Sequence, residues 1–161
     1  MNYTVGQPGR VIVARLEHGE PIYATIEALA ARERVRHAAV WIVGGLMHAG
    51  VVVGPQADDE RPPRIRVERF DDAREILGLG TLFLNESGQP KLHLHATMGK
   101  GRTVLTGCPR AGADCWLVDE VVILEISGAQ AERRKDAASG FELLACGPEK
   151  PTAGPAPGND P

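Results

Sequence analysis

Aromatic residues are scarce in this chain: Trp, Tyr and Phe together make up 4% of 161 residues. That is too few for the stacking platforms that hold single-stranded nucleic acid. Excess positive charge is lacking too, since 18 Lys and Arg stand against 21 Asp and Glu for a net charge of −3. A surface that seeks nucleic acid over its whole extent is thereby excluded, although a local basic patch is not. No apolar run reaches the roughly 18 residues of a membrane span. Residues 1–10 lack the cationic start and apolar stretch of a secretory signal, so cytoplasm is the expected compartment. Three cysteines, Cys108, Cys115 and Cys146, are an odd number and suit a reduced compartment better than a disulfide framework.

Signature loops of several enzyme classes are missing as well. Gly78 and Gly80 stand inside an apolar run and not in a phosphate-binding loop before a helix, and no Gly-X-Ser-X-Gly nucleophile elbow occurs. No internal repeat is present. What is there is an ordinary globular composition, 43% hydrophobic and 24% charged, at a length that suits one domain with a real core.

Residues 11–16 are rich in β-branched side chains and read as a strand. Gly19-Glu20-Pro21 opens a helix, where proline suits the first turn. Ile22, Ile26, Leu29 and Ala30 then share one face that packs on a sheet, leaving Glu27, Arg32, Glu33 and Arg34 in water. Residues 38–43 and 46–53 read as a hairpin-like pair broken at Gly44-Gly45. Residues 54–63 form a polar, proline-rich loop, and residues 65–70 alternate as a half-exposed strand. Residues 73–84 read as a strand with a bend or bulge at Gly78 and Gly80.

Asn85-Glu86-Ser87-Gly88 is turn chemistry, residues 91–97 alternate cleanly, and residues 103–106 return after a turn. Residues 118–126 form a strongly apolar, central strand. The charged run 132–136 is explained as a solvated loop, and residues 141–145 add a last strand. Residues 147–161, rich in Pro and Gly, have little to bury and are expected to be a disordered tail beyond a domain of residues 1–146. One helix among many strands with short turns gives an α+β fold with a mainly antiparallel sheet. Self-association is one way for such a sheet to cover its apolar faces.

The chemistry concentrates in Lys91-Leu92-His93-Leu94-His95-Ala96. In a strand, residues two apart share a face, so His93 and His95 project together while Leu92, Leu94 and Ala96 turn to a core. Two convergent imidazoles suit a transition metal, zinc in particular. The competing reading is two polar residues on a wet face, and the spacing alone does not decide. Cys108 lies past the returning strand, where a thiolate would complete a His-His-Cys set with one open position. It reads equally as a small buried residue beside Gly107. Cys115 is the backup ligand, and Cys146 reads as packing. His48 faces solvent or lines the same cleft, while His18 and His37 look like surface residues. Glu75, Glu120 and Glu125 lie in or beside apolar segments; Glu75 and Glu120 are the candidates for acid/base work.

Several pieces then fall into one order: Gly19-Glu20, Gly44-Gly45-Leu46, Glu75-Ile76-Leu77, Gly80-Thr81-Leu82, Gly88-Gln89-Pro90, Leu92-His93-Leu94-His95, Thr106-Gly107-Cys108 and Glu120-Val121-Val122-Ile123. In this order the chain resembles the PPC domain (plants and prokaryotes conserved) from about residue 10 to residue 145. The resemblance implies an α+β homotrimer with a mainly antiparallel sheet and one principal helix. It also implies a metal site in some prokaryotic members, built from the two histidines of the His-X-His strand and a third from a later Gly-Gly-His. His93 and His95 match the first two positions. Thr106-Gly107-Cys108 stands where Gly-Gly-His is usual, so a zinc site here would have cysteine as its third ligand.

Three functions follow as alternatives. One is a trimeric metal protein that binds or acts on a small molecule, in which an open metal position polarises a substrate or activates water. Another is a DNA-associated protein, by analogy with plant relatives in which an AT-hook reads the minor groove; no Arg-Gly-Arg-Pro hook or helix-turn-helix is present here. The third is a structural interaction module whose content is its self-contacts.

Overall fold

Ile22, Ile26 and Ala30 recur at four-residue steps and are fully buried, and the helix α1 (Ile22–Arg32) forms where that stripe stands. The computed structural model describes residues 1–147, and the expected tail lies, but for Gly147, outside the described residues. Pro21 is the residue just before the helix, and Ile22 N–H donates to Ala113 O at 2.9 Å, which ties the helix start to the strand connection at residues 112–114.

With burial alternating regularly over residues 37–42, 74–82 and 90–98, eight strands build the main sheet. They are β1 (Gln7–Glu17), β2 (His37–Leu46), β3 (Ala49–Pro55), β4 (Ile65–Phe70), β5 (Arg74–Leu84), β6 (Pro90–Lys100), β7 (Thr103–Ala111) and β8 (Cys115–Ser127). β9 (Ala131–Lys135) and β10 (Glu142–Cys146) form a separate ribbon. The eight-stranded sheet has the order β1-β8-β2-β5-β6-β7-β3-β4, and its pairs are antiparallel. The fold is therefore α+β with a mainly antiparallel sheet. Leu16, Val40, Ile42, Ile76, Leu82, Leu94, Met98, Val121 and Ile123 join the helix stripe in one core.

Three local expectations change. Gly44-Gly45 does not end a strand, and β2 and β3 are not a hairpin: β2 runs through both glycines between β8 and β5, while β3 lies between β7 and β4. The glycines permit close approach, since a Cβ on Gly44 would stand 2.2 Å from Val118 O and 2.4 Å from Asp119 Oδ1. β5 likewise keeps an unbroken register past Gly78 and Gly80, and a Cβ on Gly80 would meet His93 O at 2.8 Å. The charged segment expected to be a loop is strand β9, and its Arg133 is only 5% exposed.

The face turned away from the helix has a different character. Cross-strand register sets Trp41 beside Leu79 and Val122, and Val43 beside Leu77. Val13, the partner of Val122, is 75% exposed, Leu77 68% and Leu79 59%, with Trp41 and Val43 also exposed. Leu79 in turn pairs with His95, so this apolar field runs up to the histidine strand.

Candidate metal centre

The turn between β5 and β6 fixes which side chains share a face. Asn85 Oδ1 accepts the N–H groups of Ser87 (3.1 Å) and Gln89 (2.9 Å), and Gly88 supplies the positive φ of 72° that the turn requires. Thr81 is thereby set opposite His93, and Leu79 opposite His95. Leu92, Leu94, Ala96 and Met98 are buried, while half-buried His93 and exposed His95 stand on the other face. A register slip of one residue would drive both imidazoles into the core.

β6 and β7 pair from Lys100↔Thr103 as far as Ala96↔Gly107 and then part, because β7 transfers to β3 with Cys108 opposite Val52. Gly107 sits at the branch, where a Cβ would come within 2.4 Å of Val52 O. The freed edge of β6 needs partners for its backbone polar groups. Helix α1 supplies them: Leu92 N–H donates to Glu27 Oε1 at 3.0 Å, and the Tyr23 hydroxyl donates to Leu94 O at 3.4 Å. Glu27, expected in water, is instead part of this cap, with Lys91 Nζ 3.3 Å from its carboxylate.

The split brings the predicted donors together. His93 Nε2 and His95 Nε2 are 3.1 Å apart, with ring planes inclined at 72°. The Cys108 sulfur joins them in a set whose ligand atoms all lie within 4.8 Å of one another. Cys108 is 4% exposed, and the Tyr23 hydroxyl stands 3.8 Å from its sulfur. Burial first, and then Cys108, raise the Tyr23 pKa, so its hydroxyl keeps the proton that it gives to Leu94 O, with its oxygen against the sulfur.

The surroundings are cationic. Arg133 Nη2 donates to Thr81 Oγ1 at 2.8 Å, directly beside His93 in the register, and Arg110 lies over the Tyr23 ring, 5.9 Å from its centroid. Burial lowers the His93 pKa to about 4, with the charges of Arg133, His95 and Arg110 adding to it. His93 is accordingly neutral near pH 7, the state in which an imidazole has a lone pair to give. Burial, followed by the Arg110 charge, also lowers the Arg133 pKa, against an opposing pull from Glu142.

The donor set fits a metal of intermediate softness. Imidazole and thiolate bind zinc at about 2.0–2.1 and 2.3 Å, which puts tetrahedral donors roughly 3.3–3.7 Å apart. The histidine pair is already near that spacing, and side-chain rotation can bring the sulfur in. Three protein ligands leave one coordination position for water or a ligand.

The remaining candidates lie elsewhere. Cys115 is fully buried on β8 with its thiol donating to Leu16 O at 3.6 Å, and Cys146 is half-buried on β10. His48 stands 3.4 Å from Asp114, His18 Nδ1 accepts Leu117 N–H at 3.1 Å, and His37 lies against Phe83. Glu75 is exposed four positions along β5 from Leu79, and exposed Glu120 is on β8, three strands away from β6; neither belongs to the His-His-Cys group. Glu125 has its partner in Arg10 at 2.8 Å, which holds its carboxyl below the usual range. Sequence reasoning missed Tyr23, Arg110 and Arg133. Tyr23 follows Ile22 of the buried stripe, and nothing in the spacing marks it; Arg133 was hidden inside a charge run.

Comparison with known proteins agrees with this architecture. The model of the Plants and Prokaryotes Conserved (PCC) domain matches residues 3–127. No curated protein matches the sequence. Among solved structures, a metal-containing protein from Archaeoglobus fulgidus superposes with a TM-score of 0.78 at 22% identity, covering 90% of this chain and 99% of that one. A plant- and prokaryote-conserved protein from Pyrococcus horikoshii gives 0.76 at 22% identity, covering 88% and 94%. A “putative DNA-binding protein” from Ralstonia eutropha gives 0.67 at 18%, covering 90% and 96%.

Proposed function

Because the chain belongs to the Plants and Prokaryotes Conserved domain family, we propose that its function resides in a metal centre made by His93, His95 and Cys108 on a self-associating domain. The observation that carries this reading is the convergence of three ligand atoms from two strands, within 4.8 Å, at the point where the sheet opens. The metal-containing description of the Archaeoglobus protein supports it. Zinc is the metal that the donor set favours. Bound there with an open position, it supplies Lewis acidity toward a small molecule or a water. His93 and His95 would hold it from the strand face and Cys108 from the buried side, where the Tyr23 hydroxyl lies against the sulfur.

The domain assembles as the homotrimer that the family resemblance implies. Its support is the run of exposed apolar side chains Val13, Trp41, Val43, Leu77 and Leu79 on neighbouring strands, the kind of contiguous apolar patch that marks an interaction surface. The reduced thiol at the centre suits a cytoplasmic setting, and no helix of the described residues is long and apolar enough to cross a membrane. DNA as the partner has the description of the Ralstonia protein behind it, but two arginines of the 60–69 region, Arg64 and Arg66, are paired with Glu60 and Glu68.

Elemental analysis of gently purified protein tests the metal reading. About one zinc per chain is expected, falling below a tenth of that in His93→Ala/His95→Ala with the circular dichroism unchanged. Wild-type protein that takes up no stoichiometric zinc, even after incubation with the ion, would sink it.

A further inference from the structure

Arg133 presents an unusual situation for a cation. It is 5% exposed, its Nη2 is committed to Thr81, and its Nε has no hydrogen-bond partner. Among the described residues no carboxylate forms an ion pair with Arg133 or Arg110; the acidic group that acts on Arg133 is Glu142 on the same ribbon, beyond ion-pair distance. Contact with the Phe83 ring at 5.7 Å offsets part of the charge burial. A guanidinium removed from water without a counter-ion is costly, and buried charges are ordinarily paired.

The missing partner has a defined place. Thr81, which Arg133 holds, pairs directly with His93, and Arg110 stands two residues beyond Cys108 over the ring of Tyr23. One arginine therefore flanks the histidine side of the centre and the other its sulfur side. Lys91, also near, is already taken by Glu27. The result is a set of metal donors flanked by two guanidinium groups that form no ion pair among the described residues.

We propose that the centre takes a small ligand bearing an oxyanion, a carboxylate or a phosphate group, whose negative charge is met by Arg133 and Arg110. This rests on the metal reading above and adds the chemical class of what occupies the open position. A guanidinium fork matches two oxygens of either group, and such charge-assisted bonds are among the strongest available to a protein. The sequence reason is that β9 carries its arginine at the one position of the ribbon that is buried against the sheet.

The test is isothermal titration of the zinc-loaded full chain with acetate and, separately, with methylphosphonate, which divides the carboxylate from the phosphate source. Saturable binding of at least one probe is expected, weakened roughly tenfold or more in Arg133→Gln. Zinc content should not change. Arg110→Gln, an exposed position, gives a second reading that does not depend on tolerance in the interior and should weaken the same probe severalfold. Failure of both probes to saturate, or wild-type binding in both variants, overturns the proposal. Should the wild type hold no zinc, the metal reading fails by itself. The same titrations on metal-free chain then decide the arginine pair: arginine-dependent binding supports it, and no binding overturns it.

Discussion

Leu79→Asp is expected to convert the assembled protein to monomers at micromolar concentration while leaving its secondary structure intact. Leu79 is 59% exposed and stands between Trp41 and His95 in the register, at the middle of the apolar face. Covering large side chains that are half in water stabilises an interface by about 1–2 kcal/mol each. A carboxylate among the apolar side chains of that contact must lose its water, a cost of several kcal/mol that each copy repeats. The core is untouched, because Leu79 faces away from Ile26, Val40 and Leu94. Sedimentation velocity measures the outcome. The wild type should sediment at three times the 17.2 kDa chain mass and the variant at one. A wild type that sediments as a monomer at tens of micromolar would remove self-association from the account.

Asp119→Asn is expected to remove a loss of stability that the wild type suffers between about pH 4 and pH 6. Asp119 lies on β8 opposite Gly44, is 0% exposed, and neither carboxylate oxygen makes a hydrogen bond. Burial pushes its pKa from 3.8 up to about 6, and the nearby Cys115 thiol and Gly45 amide pull down more weakly. The sign follows from proton counting. Below about pH 4 folded and unfolded states are both protonated, and Asp119 costs nothing through ionisation. As pH rises toward 6 the unfolded chain ionises while the folded one keeps its proton, so stability falls. Above the folded pKa the loss is complete, on the order of 3 kcal/mol for a shift of about two units. Asparagine cannot ionise. Urea denaturation at pH 4 and pH 7 should therefore show the variant gaining on the wild type by about 2–3 kcal/mol at the higher pH. A difference between the two that does not change with pH would contradict the buried, unpaired carboxylate.

Periodic segments were the ones the sequence disclosed. The stripe of Ile22, Ile26 and Ala30 and the alternation through His93 and His95 carry their own burial signal, and helix and strand appear there; residues 65–70 also form a strand, but without the expected half-burial, since residues 65–69 are all exposed and Phe70 alone is buried. The convergence of the two imidazoles follows from the same period of two. Glycines were misread because one local property serves two ends. A missing Cβ lets a chain turn, and it equally lets two strands close, as Gly44 does against β8 and Gly80 against β6.

Long-range facts were the least legible. The chain order proposed that Cys108 returns near the histidines, but its placement depends on β7 leaving β6 for β3 at Gly107. Glu27 reads as a wet helix residue until the opened edge of β6 is there to be capped. β9 has no apolar alternation, since Glu132-Arg133-Arg134-Lys135 is charged throughout, so nothing local announces that one of its arginines is buried.

The most direct measurement is X-ray absorption at the zinc edge of the loaded protein, compared with Cys108→Ser. A shell of nitrogen at about 2.0 Å with one sulfur at about 2.3 Å is expected in the wild type, with the sulfur gone in the variant. A wild-type spectrum with nitrogen and oxygen alone, identical to that of the variant, would contradict the centre described here.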